Sequence, residues 1–192
     1  MPKVVILTGV PASGGTTITK KAIEVLEEQG QQFTMVTYSD VMLEEASRRG
    51  MANARDDIRT LDPFEQRDLQ KMAARAISEM ATMALVVDTH ATVRTPRGYL
   101  PGLPTWVLDE LRPELIIVVE SAPSEIIRRR NADKSRQRDA QDAAAVQQHQ
   151  DVNKAICMAY AAHTGATVKI LQNSDGKLEE AVAELVLTLQ ER

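Results

Sequence analysis

Residues 4–17 read Val-Val-Ile-Leu-Thr-Gly-Val-Pro-Ala-Ser-Gly-Gly-Thr-Thr, a short apolar run followed by a glycine-rich segment and two threonines. The apolar run predicts a strand, and the glycine-rich segment predicts the tight turn that leads from a strand into a helix. Gly9, Gly14 and Thr16 match the phosphate-binding P-loop pattern Gly-x-x-x-x-Gly-Lys-Ser/Thr, but Gly15 stands where the pattern has lysine. The stretch therefore predicts a P-loop that lacks its lysine.

A P-loop binds phosphate mainly through its backbone, because N–H groups converge on the anion at the positive end of the following helix. Without a Cβ, Gly9, Gly14 and Gly15 can adopt positive φ and let the chain approach the anion closely. The Thr16 hydroxyl is expected to reach a magnesium ion. The missing lysine would have made a charge-assisted contact worth about 1.5–3 kcal/mol, so its loss should weaken catalysis without abolishing it. The alternative is an ordinary strand-to-helix turn that contains glycine.

Length and composition are those of a globular protein, with 192 residues, 43% hydrophobic and 26% charged. The length predicts one domain, with room for a small inserted subdomain. The longest apolar runs are too short to cross a bilayer, and the N-terminal run is too short for a signal peptide. We therefore expect a cytoplasmic protein without a membrane partner. The single cysteine, Cys157, cannot form an internal disulfide and is expected on a buried helix face.

The charge distribution argues against a nucleic-acid partner. The formal net charge is −4, and only 3% of the residues are aromatic, whereas nucleic-acid binding needs clustered positive charge and often a stacking platform. The only basic cluster is local: residues 128–138 hold five arginines and one lysine against one aspartate. A small phosphorylated ligand fits this distribution better.

The order of apolar runs predicts the fold class. Five such runs, bounded by turn signals, alternate with helical patterns, which predicts an α/β fold with a five-stranded parallel sheet and helices on both faces. The first helix should end at about Gln29, and residues 91–104, with three prolines and two glycines, should be a long loop. The five predicted strands are Val4–Leu7, Phe33–Val36, Leu85–Val87, Leu115–Val119 and Thr167–Leu171.

The sequence also predicts a long helix that begins after the pair Asp62-Pro63. Apolar residues recur in this helix largely at three- and four-residue spacing, which indicates one buried face. The residues expected on that face are Phe64, Met72, Ala73, Ala76, Ile77 and Met80. A second polar break is expected at 131–139, after which residues 140–163 resume as a helix.

The run Leu85-Val86-Val87-Asp88 is an apolar strand that ends in a carboxylate. In a parallel sheet of this kind the carboxyl ends of the strands line the ligand crevice. We therefore expect Asp88 to face Thr16 across a magnesium ion. The alternative is a structural aspartate, because many buried strands end in this residue.

The arginines near the second polar break are candidates for the charge that the loop lacks. Phosphoryl transfer asks the protein mainly to position two anions and to neutralise charge on the transferring group. Arg129, Arg130, Arg136 and Arg138 flank the break at about 131–139, as expected of a lid that closes over phosphates. The competing interpretation is a solvated basic helix end.

A second phosphate-bearing substrate would need its own cation. The polar stretch of about residues 38–62 follows the second predicted strand, begins with Tyr38 and Ser39, and contains Arg59. We take Arg59 as the candidate cation of this second subsite. The alternative is that it is an ordinary surface charge.

These residues resemble the archaeal-type adenylate kinases, and the resemblance covers nearly the whole chain. Some members of that family carry the P-loop lysine and others a small residue, so Gly15 is within the family's range. The matching stretches are 8–11, Gly14 with 16–17, 87–90, 95–96 with 98–100, 102–104 with 106–108, 129–130, Arg136-x-Arg138-Asp139 and 164–170.

The resemblance implies a P-loop kinase domain over residues 1–192 that transfers the terminal phosphoryl group of MgATP to AMP, reversibly, giving two ADP. It also implies a homotrimer. By this resemblance the ATP phosphates are bound by Gly9, Val10, Pro11, Ala12, Ser13, Gly14, Gly15, Thr16 and Thr17, and the adenine of ATP is bound by Asn173. Magnesium is bound by Thr16 and Asp88, and AMP is bound by Tyr38, Ser39 and Arg59. The catalytic lid contains Arg129, Arg130, Arg136 and Arg138.

Two departures and two alternatives accompany the resemblance. Ala12-Ser13 replaces the more usual Gly-Val, and Arg128 stands where relatives usually have an apolar residue, so Arg128 is left out of the catalytic set.

The first alternative is a related kinase of CMP, UMP, a deoxynucleotide or shikimate, which the acceptor pocket would distinguish. The second is a nucleotide-binding regulator that lost turnover with its lysine, which would bind ATP without transferring phosphate.

Overall fold

The computed structural model describes residues 4–58, 60–81, 84–132 and 142–191, with only the backbone described at 55 and 56. The elements in chain order are β1 (Val4–Gly9), α1 (Gly15–Glu28), β2 (Phe33–Thr37), α2 (Tyr38–Arg48), α3 (Arg55–Ile58), α4 (Pro63–Met80), β3 (Ala84–Asp88), β4 (Thr92–Thr95), β5 (Gly98–Pro101), α5 (Thr105–Leu111), β6 (Leu115–Glu120), α6 (Pro123–Ala132), α7 (Ala143–Thr164), β7 (Thr167–Gln172) and α8 (Leu178–Gln190).

The main sheet has five strands in the order β2-β3-β1-β6-β7, and every neighbouring pair is parallel. All five strands predicted from the sequence are confirmed, each with slightly wider bounds. The central strand β1 pairs with β3 on one side, where Leu7 lies opposite Asp88, and with β6 on the other, where Gly9 lies opposite Val119. This register brings the ends of three strands to one edge of the sheet, next to the P-loop.

Helices cover both faces of the sheet, as predicted. Alternate residues of β1 point to opposite faces, so Val4 and Ile6 join one core while Val5 and Leu7 join the other. The first core is completed by residues of α2, α4, α5 and α7, and the second by residues of α1 and α8. Cys157 is buried on α7, as expected, and burial raises the pKa of its thiol to about 12.

The expectation of a long loop at 91–104 is wrong in part, because this segment contains an antiparallel hairpin. Strands β4 and β5 pair from Thr92 opposite Pro101 to Thr95 opposite Gly98. The Thr95 hydroxyl donates to the Gly98 carbonyl oxygen at 3.0 Å and stabilises the turn. The prolines lie in the turn, at the last position of β5 and before α5, so none interrupts the pairing.

The long helix α4 begins where the sequence predicted. The Asp62 carboxylate accepts from the backbone N–H groups of Phe64 at 2.7 Å and Glu65 at 3.0 Å, and the Glu65 carboxylate accepts from the Asp62 N–H at 3.2 Å. This capping box lowers the pKa of Asp62, because the N–H donors favour its charged form. The N-terminus of α4 is therefore fixed by sequence-local chemistry.

The buried face of α4 differs from the expected one at its ends. Leu69, Ala73 and Ile77 are buried at four-residue spacing, whereas Phe64 and Met80 are 79% and 46% exposed. Phe64 precedes Leu69 by five residues, which rotates it about 140° around the helix from that buried stripe. The remaining boundaries agree closely: α1 ends at Glu28 and α7 spans Ala143–Thr164. Within the described ranges, no helix is both long enough and apolar enough to cross a membrane.

Candidate nucleotide site

The P-loop connects the central strand β1 to α1 at the carboxyl edge of the sheet. The Ser13 N–H donates to the Val10 carbonyl oxygen at 3.0 Å and closes the turn, and Gly14 is the N-cap of α1 with no side-chain cap. The first N–H groups of a helix have no partner within the helix. These donors therefore open at the positive end of α1, where an anion is favoured.

The conformation of the loop corrects the expectation about its glycines. Gly14 has a φ of +90°, but Gly9 and Gly15 do not have positive φ, and Ala12 instead has a φ of +74°. At Gly9 a Cβ would lie 2.6 Å from the Val119 carbonyl oxygen, so glycine is required there for space rather than for φ. A non-glycine residue with positive φ costs roughly 1–2 kcal/mol, so contacts around the loop must hold Ala12 in place.

The predicted pair Thr16 and Asp88 is brought together by the sheet. Asp88 ends β3 beside β1, and the Thr16 hydroxyl at the start of α1 donates to its carboxylate at 2.8 Å. Burial is the main influence on Asp88 and raises its pKa, while the bond from Thr16 opposes this rise. The structure therefore brings these two side chains into direct contact, and the magnesium ion expected between them stays a prediction.

The donor set at this point fits Mg²⁺. A hydroxyl and a carboxylate are the hard oxygen ligands that Mg²⁺ prefers, and it is usually bound through one or two protein groups together with substrate phosphates and waters. Among the described residues no group of three or more His, Cys, Asp or Glu side chains could hold a metal ion by itself. The site therefore suits a cation that arrives with a polyphosphate.

Arg129 reaches the P-loop from α6. Its Nη1 donates to the carbonyl oxygens of Ser13 at 3.2 Å and Ala12 at 3.4 Å, and to the hydroxyl of Ser121 at 2.9 Å. On the opposite side the guanidinium pairs with Asp175, through Nε at 3.0 Å and Nη2 at 2.5 Å. The described contacts of Arg129 therefore join the loop to the segment after β7, and its predicted catalytic role stays a prediction.

Arg130 also touches the loop, since its Nε donates to the Pro11 carbonyl oxygen at 3.0 Å. Together Arg129 and Arg130 bind three successive carbonyls of the loop. The predicted residues Arg136 and Arg138 lie outside the described residues, as does most of the expected lid at 131–139. Their assignment stays a prediction.

Asn173 follows β7 and is buried directly behind the loop. Its side-chain amide donates to the Ser13 carbonyl oxygen at 2.6 Å, and its backbone N–H donates to the Glu120 carbonyl oxygen at 2.7 Å. A Cβ at Gly14 would overlap this amide, which is a second reason for glycine there. The resemblance implied a contact with adenine for Asn173, and that role stays a prediction.

The residues expected on the acceptor side begin α2 at the same edge of the sheet. Thr37, the last residue of β2, lies opposite Asp88, so Tyr38 and Ser39 follow directly beside the Thr16–Asp88 pair. Tyr38 is buried, its hydroxyl donates to the Gln70 carbonyl oxygen at 2.7 Å, and burial raises its pKa well above the usual range. Ser39 is half-buried. Arg59 lies outside the described residues.

Two residues of the site were missed from the sequence, Ser121 and Asp175. Ser121 follows β6, and its hydroxyl donates to the Asn173 carbonyl oxygen at 2.7 Å, while Asp175 follows β7 and anchors Arg129. Both obey the rule that identified Asp88, since each comes just after a parallel strand. Applying that rule to every strand would have found them.

Comparison with known proteins gives one family model and a set of close relatives. A model described as an AAA domain matches residues 8–147. The adenylate kinase of Methanococcus aeolicus is 49% identical over 189 residues, covering 98% of this chain and 98% of that protein. The adenylate kinase of Methanopyrus kandleri is 49% identical and covers 99% of both chains.

A solved structure supports the architecture independently. A shikimate kinase from Bacteroides thetaiotaomicron matches with a TM-score of 0.58, covering 98% of this chain and 99% of that one. The sequence identity is 16%, so the match shows a shared fold and not a shared substrate.

Proposed function

The chain belongs to the adenylate kinase family, and from that premise we propose that it catalyses MgATP + AMP ⇌ 2 ADP through the residues around its lysine-free P-loop. The observation that carries the proposal is the meeting of the Thr16 hydroxyl and the Asp88 carboxylate, at 2.8 Å, beside the open N–H groups of α1. That arrangement suits a metal-bound polyphosphate at this edge of the sheet.

On the donor side, residues 9–17 bind the β- and γ-phosphates of ATP through backbone N–H groups. Thr16 and Asp88 would hold Mg²⁺, which would supply positive charge to offset the negative charge that develops on the phosphates. Asn173, behind the loop, is assigned to the adenine side of ATP. The chain's own task is to present these donors in one fixed geometry.

On the acceptor side, AMP binds along the segment of about 38–62, with Tyr38, Ser39 and Arg59 as its contacts. The α-phosphate of AMP needs a cation to bring its oxygen in line with the γ-phosphate, and Arg59 supplies it. An oxygen of AMP attacks the γ-phosphorus, the bond to the β-phosphate oxygen breaks, and both products are ADP. The reaction is reversible because one phosphoanhydride bond is broken and another of similar free energy is formed.

Arg136 and Arg138 complete the site from a lid of about 131–139. They neutralise the transferring group and exclude water, so that ATP is not hydrolysed in the absence of AMP. We also propose that the protein works in the cytoplasm as a homotrimer, with neither nucleic acid nor membrane as a partner. These assignments rest on the family and on the sequence.

The test is ADP formation from MgATP with each nucleoside monophosphate in turn, and with shikimate. We expect rapid ADP production with AMP and rates at least ~10²-fold lower with the other acceptors. Arg138→Ala should lower turnover by at least ~10²-fold with little change in ATP affinity, because its contact strengthens in the transition state. Including Thr16→Ala excludes a contaminating kinase.

Each outcome of this assay is informative. Equal or higher rates with another acceptor would replace AMP by that acceptor and favour the related-kinase alternative. ATP binding without transfer to any acceptor would contradict the proposed activity and identify a nucleotide-binding protein. Equal turnover in wild type and Arg138→Ala would remove Arg138 from the mechanism.

A further inference from the structure

With Gly15 in place of lysine, the P-loop lacks the side chain that usually brings positive charge to the β- and γ-phosphates. Arg129 is a cation placed directly behind the loop, with Nη1 3.9 Å from the position that a Cβ at Gly14 would occupy. Arg129 therefore lies on one side of the loop, whereas the phosphates are expected on the other side, where the N–H groups open.

The guanidinium of Arg129 is fully engaged with the protein. An arginine has five N–H donors, one on Nε and two on each Nη. Nε and Nη2 donate to Asp175, and Nη2 donates also to the Asn173 carbonyl oxygen at 2.9 Å. Nη1 is shared among Ser121 and two loop carbonyls. Contact with a phosphate would therefore require Arg129 to give up bonds that it already makes.

The Ser13 carbonyl is the point where these bonds converge. It accepts from Arg129 at 3.2 Å and from the Asn173 amide at 2.6 Å. The same peptide group carries the Gly14 N–H, which lies at the N-terminal end of α1. A cation bonded to the carbonyl end of a peptide polarises its N–H end, so the bond behind the loop strengthens the donor in front of it.

The loop conformation also depends on these bonds. Ala12 has a φ of +74°, and its carbonyl is held by Arg129 while that of the preceding Pro11 is held by Arg130. Strain of this kind persists only where the surroundings over-determine the backbone. The arginine thus both fixes and polarises the phosphate-binding peptides.

We propose that Arg129, anchored by Asp175, is a positioning residue that takes over part of the missing lysine's task by acting through the Ser13 carbonyl on the P-loop N–H groups. The inference rests on the proposed function in that ATP is the ligand of this loop. It assigns to Arg129 a role in ground-state ATP binding and not direct contact with the transferring phosphoryl group.

The test compares Arg129→Ala and Arg129→Lys with wild type, by equilibrium binding of MgATP without AMP and by steady-state kinetics. We expect MgATP affinity to fall about 10- to 100-fold in Arg129→Ala, with a matching rise in KM for ATP, and KM for AMP to stay within about 2-fold. Arg129→Lys should restore little, because one ammonium cannot reach acceptors in three segments. A fall in kcat with unchanged ATP affinity would overturn the proposal and place Arg129 on the transferring group.

The neighbouring Arg128 offers a matched control. In the described part of the chain Arg128 also pairs with Asp175, but it has no bond to the loop. Arg128→Ala should change MgATP affinity by less than about 2-fold. An effect equal to that of Arg129→Ala would show that net charge near Asp175 matters and the bonds to the loop do not, which contradicts the proposal.

A rescue experiment addresses the missing lysine directly. Gly15 does not have positive φ, and a Cβ there would come no closer than 3.4 Å to its nearest neighbour, Val119 Cγ2, so neither the backbone nor the Cβ position forbids a side chain. Gly15→Lys should restore MgATP affinity at least about 5-fold in the Arg129→Ala protein and change wild type by less than about 2-fold. Equal gains in both backgrounds would show that the two cations act independently, against the proposal.

Thermal unfolding of every variant separates loss of ATP binding from loss of the fold. If Arg129→Ala does not fold, Asp175→Asn is tested instead, because it weakens the ion pair that holds Arg129 and keeps the arginine. We expect MgATP binding about 3- to 10-fold weaker than that of wild type. Unchanged MgATP binding would overturn the proposal. If wild type binds MgATP but transfers no phosphate to AMP, the proposed function fails, and the comparison of Arg129 with Arg128 still decides this inference.

Discussion

The donor side and the acceptor side of the site are held by hydrogen bonds to different parts of the fold. On the donor side, the carbonyls of the P-loop are bound by side chains from α6 and from the segment after β7. On the acceptor side, Tyr38 is bound to α4 through the Gln70 carbonyl, and the Gln70 side chain accepts from Trp106 of α5 at 3.0 Å. Among the described residues, the Thr16–Asp88 pair lies where the two sides meet, because it links the start of α1 to the end of β3. A substitution on one side should therefore change the affinity for ATP or for AMP, but not for both, except at that pair.

The largest effect is expected at the junction itself. Thr16→Ala removes the hydroxyl that donates to Asp88. The magnesium ion would then lose one of its protein ligands, and because transfer between ATP and AMP depends on that ion, kcat should fall at least ~10²-fold. Thr16→Ser keeps the hydroxyl and should keep most of the activity. Steady-state assays of both proteins check this, and a fully active Thr16→Ala protein would contradict the metal assignment.

A smaller effect, confined to one substrate, is expected at the acceptor side. Arg59→Ala should raise KM for AMP about 10- to 100-fold, the value of one charge-assisted contact, and leave MgATP affinity unchanged. Arg75→Ala is the matched control, because Arg75 is an exposed arginine of α4 paired with Glu79 at 3.1 Å. Kinetics with AMP varied at saturating ATP measure the effect. A parallel loss of ATP affinity would contradict the separation of the two halves.

The donor side was largely predictable because its chemistry is local in sequence. Gly9, Gly14 and Thr16 lie within one short segment, and Asp88 follows from the rule that strand ends meet at one edge. The strands were predictable for the same reason, since each is an apolar run bounded by turn signals. The helix start at Asp62-Pro63 is another local signal that the structure confirms.

The partners of the loop could not be read from the sequence, because they depend on tertiary contacts. Asp175 meets Arg129 across 46 residues, and Asn173 meets Ser13 across 160. The hairpin at β4–β5 was missed since its alternation is short and interrupted by proline and glycine. The positive φ of Ala12 was missed since glycine, and not alanine, is the residue that normally indicates it.

A third prediction concerns the fastening of the acceptor side. Tyr38→Phe removes the donor that meets the partly buried Gln70 carbonyl at 2.7 Å, which should lower the free energy of unfolding by about 1 kcal/mol. We expect KM for AMP to rise only a few-fold, because the ring and its packing remain. Urea unfolding and AMP kinetics test this. A change in MgATP affinity as large as that in KM for AMP would break the comparison.

The smallest expected effect is on the pH dependence of stability, at the buried histidine of α7 that contacts the β4–β5 hairpin. The Thr92 hydroxyl donates to Asn153 Oδ1 at 2.6 Å, so its oxygen accepts from His149 Nε2 at 3.0 Å. Burial lowers the pKa of His149, an interaction with the Thr92 backbone opposes this, and the nearby charges of Arg130, His90 and Arg94 lower it further.

Because the folded pKa of His149 lies below its unfolded value, the unfolded chain binds more protons, and this group makes stability fall as pH drops through 6.5. The slope from one group is at most ~1.4 kcal/mol per pH unit. His149→Gln should therefore lose less stability than wild type between pH 7.5 and 5.5 in urea unfolding. Identical pH dependence in the two proteins would show that His149 does not titrate in this way.

The central claim, that a lysine-free P-loop supports adenylate kinase chemistry, is tested most directly by the reverse reaction from ADP and Mg²⁺ alone. The account predicts that ATP and AMP appear together in equal amounts, and that both vanish in the Thr16→Ala protein. A kinase of another acceptor or a nucleotide-binding regulator would form neither product from ADP alone. Failure of the wild-type protein to produce both would contradict the account.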